Sequence, residues 1–222
     1  MPKQRAENDG TRNTSDRRAF LGRVAIGTVG GAAFALTAGG AVSAQGLGGE
    51  RTRQNFRDIQ RHENAHVEFL VSALGGSARP KPTFQNLLQR NFRDFFQVSQ
   101  DLENTGCGAY LGAAPYIFSR DILAAAGSIA LIEGRHAGWV NTLVNDPITL
   151  NVFNQEQSFE TPLTASQVVE LASLFVASLN GGPALSYSTT PSPANDIAIL
   201  NFALALEYLE AEFYNLNVPA LL

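Results

Sequence analysis

The sequence predicts an all-α domain, a four-helix bundle with one accessory helix, on three observations. Apolar residues recur at three- and four-residue steps over long windows, and no run alternates as a strand would. Glycine pairs, an Asp-Pro and a capping box divide those windows into separate helices. A chain of 222 residues with 45% hydrophobic content fills one core and is too short for two comfortable ones.

The amino-terminal part is a separate matter. Residues 1–14 are polar. Ser15-Asp16-Arg17-Arg18-Ala19-Phe20-Leu21 follows, then a Gly/Ala-rich apolar run from Val24 to Val42 that closes on Val42-Ser43-Ala44. Residues 1–44 resemble a twin-arginine export signal, with the mature chain beginning at Gln45. That resemblance implies a periplasmic or extracellular protein that crosses the membrane folded. An uncleaved run of about twenty apolar residues would instead anchor the chain in a bilayer.

Residues 45–222 read as the bundle domain. A first helix spans about Arg51 to Leu74 and stops at Gly75-Gly76, where glycine accepts the left-handed cap conformation. The second begins near Phe84, carries Phe92, Phe95, Phe96 and Leu102, and thins out at Thr105-Gly106-Cys107-Gly108. The third starts at Ser119, a good N-cap, and ends near Val144 ahead of Asp146-Pro147. Thr164 and Gln167 fit a capping box that opens the accessory helix, which ends at Asn180-Gly181-Gly182-Pro183. Residues 183–194, rich in Ser, Thr and Pro, read as a linker. The last helix, capped by Asn195 or Asp196, runs to about Leu216.

Charge and cysteine content narrow the chemistry. Six of the sixteen Lys/Arg and three of the twenty Asp/Glu lie in the first 44 residues, so the remainder is net acidic and offers no nucleic-acid surface. The single cysteine, Cys107, excludes an internal disulfide and any Cys-pair zinc site; it reads as a small tolerated residue among glycines.

The inward stripes of the helices carry the remaining signal. The first helix presents Phe56, Ile59, Glu63, His66, Leu70 and Ala73. The third presents Ile122, Ala126, Ile129, Glu133, His136, Val140 and Leu143. The second gives Phe92, Phe96, Ser99, Glu103, Gly106 and Tyr110, and the last gives Leu200, Ala203, Glu207, Glu210 and Tyr214. Every long helix thus points a carboxylate inward. Buried carboxylates must be protonated, paired or bound to cations. Glu-x-x-His places both groups one turn apart on one face. Two such pairs with a Glu from each of the other helices make a hard, oxygen-rich set, suited to iron or manganese at a dinuclear site. His62 lies off the stripe and reads as solvated. Tyr110 and Tyr214 read as core aromatics or as partners of the ligands, and Trp139 as packing under a neighbouring helix.

Through ENAHVEFLVSALGG, DLENTGCGAYLGAAP, IALIEGRHAGWVNTL and ILNFALALEYLEAEFY, residues 51–222 resemble the ferritin-like domain family that includes desiccation-related proteins. The resemblance implies metal-ligand roles for Glu63, His66, Glu103, Glu133 and His136. Glu207 stands seven residues before Tyr214, as Glu103 stands before Tyr110, which favours it as the sixth ligand over Glu210. Segments like LNFALALEYLEAEFY open the family's domain, whereas here that helix comes last. A circularly permuted bundle of helix order 2-3-4-1 accounts for this, with helix exchange in a homodimer as the competing arrangement. The expected function is a di-iron or di-manganese site that reacts with oxygen or peroxide, or oxidises ferrous ion, in stress protection. The alternative is a structural desiccation-stress bundle in which metal is absent or only stabilising.

Overall fold

The computed structural model describes residues 49–222; the leader read over residues 1–44, with its Val24–Val42 run, lies outside the described residues. Helix α1 (Glu50–Leu74) buries Phe56, Ile59, Glu63, His66, Leu70 and Leu74. The stripe therefore runs as read except at its end, where Leu74 faces in and Ala73 is exposed. Gly75 closes the helix at a φ of 52°, a conformation that glycine reaches without a Cβ clash.

Helix α2 (Phe92–Ala113) departs from the sequence reading at both ends. It starts at Phe92, where the side chain of Asn91 accepts the Asp94 N–H at 3.0 Å. The preceding residues Thr83–Phe84 (β1) instead pair antiparallel with Val176–Ser178 (β2). Strands this short leave no periodic trace in a sequence. At its other end α2 runs straight through Gly106 and Gly108. The cause is tertiary, because the segment bearing Leu163 crosses the helix here. Leu163 N–H donates to Gly108 O at 2.9 Å, and a Cβ on Gly112 would sit 1.8 Å from the Leu163 carbonyl oxygen. The contact offsets the roughly 1 kcal/mol by which glycine weakens a helix relative to alanine.

Helix α3 (Arg120–Leu143) is capped by Ser119, as expected. Helix α4 (Ala165–Ala172) is the accessory helix and has the Thr164–Gln167 capping box. It stops well before Asn180 because the chain turns at Phe175 to form β2. Helix α5 (Pro193–Leu221) is capped by Ser192 with Pro193 in its first turn, not by Asn195 or Asp196. Those two residues are buried and serve other segments. The Asp196 carboxylate accepts the N–H groups of Phe118 and Ser119 at 2.7 and 2.9 Å, while Asn195 Nδ2 donates to Tyr116 O and Ser188 O. The start of α5 is thereby tied to the turn between α2 and α3.

The four long helices form an antiparallel bundle. Arg53 meets the Leu222 carbonyl, Gln60 meets Asn215 and Arg79 meets Asn201, so α5 runs back along α1 of the same chain, as a 2-3-4-1 order requires. One end of the core is aromatic, with Phe56, Phe95, Phe96, Phe213 and Tyr214 packed together and Trp139 edge-on to Phe56. The other end is aliphatic, built from Leu70, Leu200, Leu204, Ala126 and Ile199. A polar layer lies between them. Among the described residues no helix is long and apolar enough to cross a membrane.

Candidate metal centre

The polar layer is made by the inward carboxylates and imidazoles at mid-bundle. Glu63, Glu103 and Glu133 are wholly buried, and His66, His136, Glu207 and Glu210 nearly so. The i, i+3 spacing on α1 and α3 brings each Glu and His onto one face, and the antiparallel packing sets the two pairs against each other. His136 Nδ1 lies 3.0 Å from Glu63 Oε1 and 3.2 Å from Glu103 Oε2. His66 Nδ1 lies 3.1 Å from Glu63 Oε2, and 3.2 Å from both Glu133 Oε1 and Glu207 Oε2.

Two groups result. Glu63, Glu103, Glu133 and His136 each offer one ligand atom within 4.8 Å of the others, and so do Glu63, His66, Glu133 and Glu207. Glu63 and Glu133 belong to both. All six residues expected from the sequence are therefore brought together. Glu210, the alternative to Glu207, joins neither group. It lies beside Gly106, where a Cβ would come within 3.2 Å of Glu133 Oε2 and 3.4 Å of Glu210 Oε1. Glycine at 106 leaves room for two carboxylates at once.

The tyrosines pair crosswise. Tyr110 of α2 donates to Glu207 of α5, and Tyr214 of α5 donates to Glu103 of α2, each at 2.5 Å. The equal seven-residue spacing in the two helices, run antiparallel, produces this reciprocal arrangement.

His62 corrects the sequence reading. It is half-buried, and its Nδ1 lies 3.0 Å from His136 Nε2, with the two ring planes 6° from parallel. An imidazole that turns one nitrogen to a cation is held by a hydrogen bond at the other. The contact with His62 holds His136 with its Nδ1 toward the carboxylates. Its position beside Glu63 and one turn before His66 was the available signal, but the contact depends on how closely α1 and α3 approach.

The electrostatics of the ion-free cluster follow from burial and crowding. Burial, with the charges of Glu63, Glu103 and Glu207 added, pushes Glu133 well above the usual carboxylate range. Glu210 is raised in the same way. Glu207 is raised to about 7 by burial. Burial opposes the charge of Glu63 too, yet hydrogen bonds to His136 and His66 bring it down to about 2. Burial also disfavours imidazolium, but the surrounding carboxylates outweigh it and lift His66 to about 12 and His136 to about 11.

These shifts give a sign test. Between 4.5 and about 7 the folded chain holds a Glu207 proton that the unfolded chain has lost. From 6.5 upward it likewise holds both imidazolium protons, until their raised values of about 11 and 12. More protons on the folded state mean that unfolding free energy falls as pH rises. Glu63 acts oppositely: its contribution is present above 4.5 and is lost as pH falls through about 2. Cations displace the same protons, so their affinity, and the stability they add, rise with pH. Thermal melts from about pH 5 to 8 should slope down with chelator and up with saturating iron or manganese. Parallel slopes would mean that the cations bind elsewhere.

The donor set also passes a test of fit. One N–H of His66 faces three carboxylates, and neither oxygen of Glu133 has a hydrogen-bond partner among the described residues. Buried polar atoms left unpaired cost free energy that a cation between them would recover. These groups can hold a metal ion. The sequence profile of the ferritin-like domain matches residues 25–146 and 195–220, which include all seven acidic and imidazole residues of the layer. No curated protein and no solved structure gives a match.

Proposed function

Because the chain belongs to the ferritin-like domain family, we propose that its polar layer holds a pair of iron or manganese ions and reacts with dioxygen or peroxide, or oxidises ferrous ion, in stress protection. The observation that carries this reading is the sharing of Glu63 and Glu133 between two four-residue groups. Two carboxylates common to two positions are suited to bridge a pair of ions, with Glu103 and His136 at one and His66 and Glu207 at the other. Such a pair supplies one-electron redox chemistry when bound. The protein's own contribution is to exclude water with the two apolar layers, to orient His136 through His62, and to orient Glu103 and Glu207 through Tyr214 and Tyr110.

Anaerobic titration of the intact protein with ferrous or manganous ion tests the proposal. Two equivalents should bind per chain, both lost on removing the carboxylates of the layer; zero or one equivalent contradicts it. The structural alternative draws on the two imidazoles, which can neutralise part of the carboxylate charge without any metal. It leaves Glu133 with nothing beyond the 3.2 Å approach of His66 Nδ1 to Oε1, and no hydrogen bond at Oε2, which favours the metal reading.

Export by the twin-arginine route to the periplasm or beyond, and a place among the desiccation-related members, are proposed on the sequence features of residues 15–44 and on the four helix motifs. Replacing Arg17 and Arg18 with Lys should retain the protein in the cytoplasm; export of that variant would refute the route.

A further inference from the structure

Next to the polar layer, on its aliphatic side, the bundle holds an apolar cavity, partly open to the surface, that the ligand geometry does not explain. Its walls are Ala109, Tyr110 and Ala113 of α2, Ala126 and Ile129 of α3, and Ala203 of α5. Four alanines stand at inward positions where larger side chains would have closed the core, so the void follows directly from the sequence. Its most exposed wall residue is Phe69 of α1, 46% exposed, across from Ala125 of α3. Its inner end is Tyr110, whose hydroxyl is already committed to Glu207. Ile129 and Leu206 there lie within one turn of Glu133 and Glu207.

We propose that this cavity is a binding site for a small apolar gas molecule, dioxygen by class, placed between the solvent at Phe69 and the polar layer at Tyr110. Size and lining select that ligand. The cavity measures about 30 Å³. A single water requires roughly 10–15 Å³ on the same measure, so the space suits a diatomic molecule and not an alkyl chain. Hydrogen peroxide, water and cations need polar partners, and the lining offers none beyond the engaged Tyr110 hydroxyl. Such voids stay dry and take up apolar gases. The inference rests on the metal reading only for the fate of the gas: were two ferrous ions held by the polar layer, each would give up one electron, and dioxygen would take both with two protons from solvent and leave as hydrogen peroxide.

Xenon is the probe, because it is apolar, of comparable size and indifferent to metal. Xenon-pressurised crystals or xenon NMR of the intact protein should show one site between Ala113, Ala126 and Ala203. Ala126→Leu should abolish it and leave metal binding unchanged. The same variant, loaded with ferrous ion, should react severalfold more slowly with dissolved dioxygen and at an unaltered rate with added hydrogen peroxide. Ala113→Val, which fills the void from α2 rather than α3, serves should Ala126→Leu fail to fold. No xenon in the wild type overturns the proposal whatever the metal content, and so does an unaltered dioxygen rate in a variant that has lost its xenon site. Xenon bound in a protein that takes up no metal overturns the metal reading and supports the gas site.

Discussion

Glu133→Gln should abolish tight metal binding at both positions, lowering affinity by more than about 100-fold, because this residue belongs to both four-residue groups. Glutamine keeps the volume of the side chain but cannot bring two anionic oxygens to two ions. Glu103→Gln and Glu207→Gln should each spare one equivalent, since each residue belongs to one group. His62→Leu should weaken only the position served by His136, by about 10- to 100-fold, as expected when the hydrogen bond orienting a ligand is lost. The ion-free Glu133→Gln protein should melt higher at neutral pH than ion-free wild type, because burial and the charges of Glu63, Glu103 and Glu207 make the folded wild type keep a proton on Glu133 that the unfolded chain releases, a cost that glutamine does not carry. Isothermal titration of the series with manganese, followed by chelator melts, reads both effects. Two equivalents at wild-type affinity in Glu133→Gln would remove the shared-carboxylate reading.

The second large effect concerns α5. Truncation after Pro191 removes the Ser192 cap and the whole helix, including buried Leu200, Phe202, Leu204, Leu209, Phe213 and Tyr214. Each such side chain stabilises the fold by about 1.5–3 kcal/mol. Their sum is comparable with the roughly 5–15 kcal/mol that holds an entire domain. The loss also uncovers the inner face of α1, leaves Glu103 without Tyr214, and frees the Phe118 and Ser119 N–H groups from Asp196. The truncated chain should fail to fold or should aggregate. A cooperative, monomeric melt of that fragment by circular dichroism would show that α5 is no part of this bundle. Sedimentation of the full chain separates closure within one chain, which gives a monomer, from helix exchange, which gives a dimer.

What could be read in advance depended on whether the cause was periodic or tertiary. Glu63, His66, Glu133 and His136 stood out because each interrupts an apolar stripe at a fixed helical spacing, and that spacing survives into the fold unchanged. Glu207 was separable from Glu210 only by its analogy with Glu103 and Tyr110. The crosswise tyrosine bonds show why that analogy tracks geometry: two antiparallel helices with the same Glu-to-Tyr interval must pair reciprocally. The passage of α2 through its glycines was hidden, because the residue that permits it, Leu163, lies more than fifty positions away. The sequence points to Asn195 or Asp196 as the cap, and Ser192, three residues before Asn195, caps the helix instead. Their roles divide according to which neighbouring N–H groups the fold presents, and no local rule distinguishes that. His62 was missed because a helical stripe records which side chains face the bundle axis and not which edge of one helix touches another.

The bond between Asp196 and the turn at Phe118 and Ser119, with the contact of His66 to Glu207 across 141 residues, has a consequence for synthesis. The polar layer draws on both the first and the last helix of the described chain, so no nascent fragment contains a finished site. While α2, α3 and α4 are being translated, α1 must wait with Glu63 and His66 uncovered, and its closure with α5 is a long-range event that the intervening loops make slow. A cation captured early by Glu63 and His66 alone would be held weakly and exchange freely. On the proposed metal reading, selection among cations would be deferred until α5 has docked on α1, and would follow the supply wherever that docking takes place.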